Sequence, residues 1–388
     1  MLFIIVKEQR HSYFMKKQIL TNGRSTKSIK RSMKLMCLAT AIAVTGTNTA
    51  NACTGITLTA KDSTKILART IEWGGSDLNS QYVIVPRGYT AQSYIPGGVD
   101  GMKFTSKYGY VGLAVEQKEF IAEGLNEKGL SAGLFYFPKY GKYEDYNAAE
   151  KEQSIADLQL VSWILGECAS VDEVKDAINK IHVIAIDPRA STVHWRFADT
   201  TGRQIVLEII DGKPIFYENE LGVLTNSPDF NWQMTNLNNY VNLFPGSAPS
   251  QKLGETELSQ FGAGSGFLGI PGDVTPPSRF VRAAFYQATA PVQNTSEETV
   301  LQGFQILNNF DIPVGIEFAR GQVPVNIPSA TQWTSATDMN NLKIYFRSMY
   351  NSAIRSIDLK EIDFNKVKYR AVPMDTQKQQ PIYNIKVK

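Results

Sequence analysis

Ala50-Asn51-Ala52-Cys53-Thr54-Gly55-Ile56, followed by Ala68-Arg69-Thr70-Ile71-Glu72-Trp73, is the stretch from which the rest of the chain is read. Upstream of it, Leu35 to Val44 form a short apolar core preceded by Lys30, Arg31 and Lys34. With the small-x-small ending Ala50-Asn51-Ala52, this reads as a secretory signal cleaved before Cys53. Cleavage there puts a thiol and a free α-amino group on one residue. Three readings of Cys53 compete on the signal alone. It is a cysteine near a cleavage site by chance, a lipid-bearing cysteine whose amino group is acylated, or an N-terminal nucleophile. Lipid attachment favours a larger aliphatic residue three positions before the cysteine, where this chain has Ala50.

Residues 1 to 52 hold nine of the 40 Lys and Arg and one of the 37 acidic residues, so the remaining 336 residues carry about −5 rather than the overall +3. A basic surplus for nucleic acid or an anionic membrane is absent from that part. No stretch after Cys53 approaches the eighteen or so apolar residues that span a bilayer. Residues 1 to 32 read as an extended basic leader or as an upstream start, and Met33-Lys34 is a natural beginning for an ordinary signal peptide. The expected organisation is a removed leader and signal over 1–52 and one domain over 53–388.

Cys53 and Cys168 are the two cysteines left after cleavage, too few for an obvious disulfide framework. Cys168 ends an apolar run and reads as a small core residue. His182 and His194 lie in strand-like runs, and no His or Cys pairs occur at metal-ligand spacing, so neither a metal nor a cofactor is expected. A Cys-His dyad would have to borrow one of these two histidines. A base carried on Cys53 itself needs neither.

Alternating and β-branched runs predict strands over 53–59, 65–73, 81–86 and 110–115, and a turn at 124–130 leading into a strand over 131–137. Helices are expected over 154–167 and 171–181, the second capped by Ser170. Strands return at 182–186, 193–198, 204–210 and 213–217, the last two turned at Asp211-Gly212. Residues 230–243 have a helical pattern, and a Gly- and Pro-rich loop over 262–277 precedes helices over 278–289 and 296–309. Closing strands are expected over 331–335, 342–349 and 354–358. This order is not the alternation of a parallel doubly wound fold. It suits two antiparallel sheets stacked face to face and covered by helices, an α+β arrangement.

The blocks around Cys53 and Arg69 resemble the start of the choloylglycine hydrolases, the conjugated bile acid hydrolases and penicillin V acylases of the N-terminal-nucleophile superfamily. The resemblance continues through Glu123-Gly124-Leu125-Asn126-Glu127-Lys128-Gly129-Leu130, Leu134-Phe135-Tyr136-Phe137-Pro138 and Gly222-Val223-Leu224-Thr225-Asn226-Ser227-Pro228. It extends through Asn236-Leu237-Asn238-Asn239-Tyr240 and Gly269-Ile270-Pro271-Gly272-Asp273-Val274-Thr275-Pro276-Pro277-Ser278-Arg279-Phe280. It implies a four-layer αββα sandwich and linear-amide hydrolysis, without a cofactor, by an assembly that in relatives is often a tetramer.

The resemblance also implies site roles. Cys53 is the nucleophile and Arg69 the cation beside its thiol. Glu72, where better-known members carry aspartate, holds the α-amino group. Asn226 and the backbone N–H of Tyr136 receive the oxyanion, and Arg279 is a further active-site arginine. Free cysteine titrates near about 8.5 and an α-amino group near about 7.7–8.0, so the two can exchange a proton near neutrality. Tyr136 points toward penicillin V; the 236–240 block and the long 253–271 segment point toward conjugated bile acids. A steroid acyl group needs an apolar wall, for which Trp73, Phe120, Phe135 and Phe137 are the candidates, each of them equally readable as a core residue. The reading is a bile salt hydrolase, with penicillin V acylase second and a lipid-anchored binding protein on the same scaffold as the non-enzyme alternative.

Overall fold

The computed structural model describes residues 51–186 and 191–387, so the basic leader and the signal core lie outside the described residues. The nucleophile segment forms the strand Asn51–Thr59, which pairs antiparallel with Lys65–Trp73. Thr64 N–H donates to Asp62 Oδ1 at 2.9 Å and Ser63 N–H to Ala60 C=O at 3.0 Å in the turn between them, with Ser63 at φ 70°. The register sets Cys53 opposite Ile71 and Gly55 opposite Arg69. Because directly opposed residues share a sheet face, Cys53 and Arg69 point one way. Ala52, Thr54, Thr70 and Glu72 point the other.

Three strands, Thr331–Asp338, Lys343–Ser348 and Asn351–Asp358, extend this hairpin to a five-stranded antiparallel sheet. A second antiparallel sheet has eight strands in the order Lys213–Glu218, Gln204–Ile210, Val193–Ala198, Ser131–Tyr136, Ile121–Asn126, Tyr110–Ala114, Gln81–Val85 and Arg370–Pro373. The strand of Cys53 packs across Ser131–Tyr136, so the two sheets stack face to face. Gly55 permits this approach: a Cβ there would lie 2.8 Å from Arg196 Nη1 and 3.0 Å from Phe135 Cζ.

Helices Pro276–Thr289 and Ser296–Leu307 cover the outer face of the smaller sheet; Leu160–Glu167 and Val171–Ile178 cover that of the larger. The result is the expected αββα sandwich. Leu160–Glu167 buries every residue from Leu160 to Gly166. An isolated helix this short is marginal in water. Burial at about 1.5–3 kcal/mol per large aliphatic side chain holds it instead.

Several expectations differ. The expected helix over 154–167 starts later: Ser154–Ala156 is a short strand parallel to His182–Ile184, held where Ala156 N–H donates to Ser93 Oγ at 2.8 Å, and a 3₁₀ turn over Asp157–Gln159 leads into the α-helix at Leu160. The helix beginning at Phe230 ends at Asn236 and tightens to a 3₁₀ turn over Leu237–Tyr240. Its asparagines bond locally, Asn238 Nδ2 to Thr235 C=O and Asn239 Nδ2 to Asn236 Oδ1, which competes with helix continuation. The turn expected at 124–130 starts later, because Ile121–Asn126 is a central strand. The hairpins Thr90–Ile95 with Gly98–Thr105 and Gln251–Leu253 with Thr256–Leu258 also lack a sequence counterpart.

Candidate active site

Chain pairing brings Asn226 to Cys53. Gly55 and Leu224 exchange backbone hydrogen bonds of 2.7 and 3.1 Å. Two residues back on one chain and two forward on the other, Cys53 N–H donates to Asn226 Oδ1 at 2.8 Å. Asn226 Nδ2 donates to Tyr136 C=O at 2.7 Å, and the Tyr136 N–H reaches the Cys53 thiol. Cys53, Asn226 and the end of the strand Ser131–Tyr136 therefore meet at one point. An amide nitrogen carries two protons, so Asn226 Nδ2 retains one beyond the bond to Tyr136.

Arg69 lies on the Cys53 face, fully buried between the sheets. Its Nη1 donates to Leu134 C=O at 2.6 Å and to Ala122 C=O at 3.1 Å, and pairs with Glu123 at 3.5 Å. Its guanidinium stands 4.0 Å over the Phe135 ring. Nη2 has no hydrogen-bond partner among the described residues. Glu123 also faces Arg196 at 3.8 Å. Gly133, opposite Glu123, makes room for it: a Cβ there would fall 2.3 Å from Glu123 Oε2.

Arg279 occupies the other face. Pro276 and Pro277 open its helix, where missing N–H groups cost little, and the Asp273 carboxylate gathers Thr275 and Ser278 at the entry. Thr275 holds the cap position, but its hydroxyl bonds Asp273 rather than the helix backbone. Arg279 then reaches the nucleophile strand: Nη1 donates to Cys53 C=O and to Thr54 Oγ1, and Nη2 donates to Asn226 Oδ1 at 2.8 Å. Asn226 Oδ1 thus accepts from both Cys53 and Arg279, which fixes its amide so that Nδ2 faces Tyr136.

Glu72 is 2% exposed. Among the described residues it accepts from Thr331 Oγ1 at 3.4 Å and its Oε2 has no hydrogen-bond partner, while the Thr70 hydroxyl also acts to hold its carboxyl down. Burial pushes its carboxyl up to about 8, against the pull of Arg279 and Arg69. Burial likewise raises the Cys53 thiol; Arg69 opposes this most, Glu72 adds to it, and the Tyr136 N–H and Arg279 lower it. Cys168 is buried and raised to about 12, the mark of an inert core thiol.

The structure thus brings Cys53, Arg69, Glu72, Asn226, Arg279 and Tyr136 into one cluster spanning both faces of a single strand pair. The aromatic expectation is corrected. Phe120, Phe135 and Phe137 are core residues, exposed 3%, 0% and 0%. Phe135 lies under Arg69 and Phe137 stacks on His194 at 4.4 Å, so neither ring forms an accessible wall. Trp73 alone is partly exposed, with Nε1 on Ser76 Oγ. Neither described histidine partners Cys53: His182 pairs with Glu144, and His194 is held by Glu208 and Thr225 C=O. Sequence reading passed over Glu123, Arg196 and Glu317. A charged residue inside an otherwise apolar strand was the available signal for Arg196; Glu317, in a loop, offered none.

Residues 53–373 match the family described as linear amide C-N hydrolases, choloylglycine hydrolase family, a match that begins at Cys53. The chain is 31% identical over 326 residues to the bile salt hydrolase/transferase of Clostridium perfringens, covering 81% of this chain and 95% of that one. It is 26% identical over 369 residues to the penicillin V acylase of Pectobacterium atrosepticum, covering 87% and 89%. A crystal structure of a mutant conjugated bile acid hydrolase from Clostridium perfringens superimposes with a TM-score of 0.72 at 29% identity, over 86% of this chain and 100% of that one. The chain belongs to the choloylglycine hydrolase family and is a linear amide hydrolase.

Proposed function

We propose that the protein is a bile salt hydrolase that cleaves the amide bond of glycine- or taurine-conjugated bile acids with Cys53 as an N-terminal nucleophile. The observation that carries this reading is the meeting of Asn226 and Tyr136 at Cys53: the Asn226 side chain bonds the Cys53 nitrogen and Tyr136 C=O, while the Tyr136 N–H reaches the thiol. Removal of the leader before Cys53 turns that nitrogen from an amide into an amine, able to take the thiol proton. The thiolate attacks the substrate carbonyl carbon. Charge developing on the carbonyl oxygen is received by the Tyr136 N–H and the second Nδ2 proton of Asn226. The α-ammonium returns its proton to the departing glycine or taurine nitrogen. Water, deprotonated by the same amine, then hydrolyses the thioester.

In the uncleaved chain the nitrogen is not basic and burial holds the thiol up, so the nucleophile is latent. The leader is a secretory signal, which places the mature enzyme in the periplasm or outside the cell. The mature enzyme assembles as a homotetramer. Parallel turnover of glycocholate, taurocholate and penicillin V by the processed protein tests the substrate. Faster hydrolysis of either bile conjugate supports the proposal; hydrolysis of penicillin V alone overturns it. Tyr136 favours the second reading, a penicillin V acylase, and the Pectobacterium relative matches along most of its own length.

A further inference from the structure

Glu317 follows the 3₁₀ turn Val314–Ile316, in a loop that returns to the edge of the site. Both of its carboxylate oxygens are shielded from solvent, and neither has a hydrogen-bond partner. Oε2 settles over the bare backbone of Gly74, where a Cβ would stand 2.9 Å away. Gly74 is two residues beyond Glu72, so the two carboxylates approach the same face of the sheet, the face that also receives Arg279. The charges of Glu72, Glu317 and Arg279 act on one another there. Arg69 and the Cys53 thiol lie on the opposite face, and Arg282 stands behind Arg279.

Among the described residues this face has three carboxylate oxygens without a hydrogen-bond partner, one on Glu72 and two on Glu317, beside the guanidinium of Arg279. A buried acceptor left without a donor is costly, and more so when charged, so the arrangement lacks a cationic donor. The two described residues before Cys53 run past this face. Asn51 lies opposite Trp73 and Ala52 opposite Glu72, continuing the nucleophile strand toward Gly74. The Ala52 side chain fills a small niche formed by Ile312, Ala330 and Val274.

Resting on the reading of Cys53 as the mature first residue, we propose that Glu317 is a second positioning carboxylate for the Cys53 α-amino group, sharing that role with Glu72. Cleavage empties the Ala52 niche and turns the Cys53 nitrogen into an ammonium with three donors. Asn226 Oδ1 already stands 2.8 Å from that nitrogen. Glu72 and Glu317 receive the remaining protons. Two cations then face two carboxylates, where the uncleaved chain sets one cation against two. The raised values of the pair, about 8 for Glu72 and about 7 for Glu317, fit a precursor in which one carboxyl keeps its proton. The second carboxylate also accounts for the tolerance of glutamate at position 72.

The test is the pH profile of kcat/KM for the processed protein across about pH 4–9, where carboxyl and α-amino groups titrate. The substrate is the fastest of glycocholate, taurocholate and penicillin V. A carboxylate beside an ammonium raises its pKa, so Glu317→Gln should move the acid limb down by about 0.5–1 unit and lower kcat. Glu317→Asp, which keeps the charge, should recover most of the wild-type limb. Gly74→Ala, which displaces the carboxylate without removing it, should move the limb in the same direction as Glu317→Gln and serves if that variant does not fold. Acid limbs that overlay the wild type in Glu317→Gln, or in Gly74→Ala where that variant stands in, overturn the role of Glu317 while leaving Cys53 as the nucleophile. Full activity of Cys53→Ser overturns the underlying reading instead.

Discussion

Replacing Asn226 separates its two contributions, because its oxygen and nitrogen do different work. Oδ1 accepts from Cys53 N–H and from Arg279 Nη2, both at 2.8 Å, while Nδ2 donates to Tyr136 C=O at 2.7 Å and keeps one proton for the substrate. Asn226→Ala removes all of these in a buried setting. Each buried group left unpaired costs about 1–3 kcal/mol, so three such groups predict a loss of several kcal/mol in stability, reduced where water enters the vacated space. The missing oxyanion donor costs a further factor of about 10²–10³ in kcat. Asn226→Asp keeps both acceptor bonds but turns the donor into a carboxylate oxygen, which leaves Tyr136 C=O without its partner. It should therefore be destabilised less than Asn226→Ala, since one buried group rather than three loses its partner, yet lose at least about 10² in kcat, with KM little changed, because the donor acts mainly in the transition state. Steady-state kinetics and urea unfolding of both variants make the comparison. An aspartate variant within tenfold of wild-type kcat, or an alanine variant with raised KM and intact kcat, would show that Asn226 binds substrate or shapes the turn.

The remaining predictions concern charge and the thiol. Cys53→Ser should fold normally and lose turnover, whereas Cys168→Ser should keep most activity; inactivation by iodoacetamide that tracks labelling of Cys168 contradicts this. Arg69→Ala should move the pH midpoint of Cys53 alkylation upward, since Arg69 is the strongest influence holding the thiol down against burial, and an unmoved midpoint counts against it. In the uncleaved protein Glu72 binds its proton more tightly folded, at about 8, than at its ordinary value of 4.5. The contribution of Glu72 to stability should thus be fully present below about pH 4.5 and be lost as pH rises toward 8, by linkage. Glu317 and Asp157, each raised to about 7, act in the same sense. Glu72→Gln should therefore flatten the decline in urea midpoint without abolishing it, and an unchanged slope refutes the assignment.

The strand pair that carries Cys53 and Arg69 was legible because its register follows from alternation and a short polar turn, and both are local. Asn226 and Arg279 came from the resemblance. What places them, a bridge between Gly55 and Leu224 and a proline-started helix aimed at Thr54, joins segments about 170 and 225 residues apart, as their hydrogen-bond separations of 173 and 225 record. Helix limits failed where side chains compete with the backbone, as at Asn236 to Asn239, or where tertiary pairing overrides pattern, as at Ser154 to Ala156. The aromatic residues stayed open between pocket and core for a plain reason: an apolar ring reads the same whether it faces a pocket or the opposite sheet. Phe135 and Phe137 face the interior because strand Ser131–Tyr136 is central and covered on both faces. Glu317 was invisible because no local pattern marks a loop carboxylate that docks on a glycine 243 positions earlier, at Gly74.

The most direct test of Cys53 as an N-terminal nucleophile is the intact mass of the catalytically active protein recovered from the exporting cell. The account predicts a chain that begins at Cys53, with its thiol and amino group unmodified. Full turnover by protein that retains residues before Cys53, or that carries lipid or an acyl group on Cys53, would contradict it.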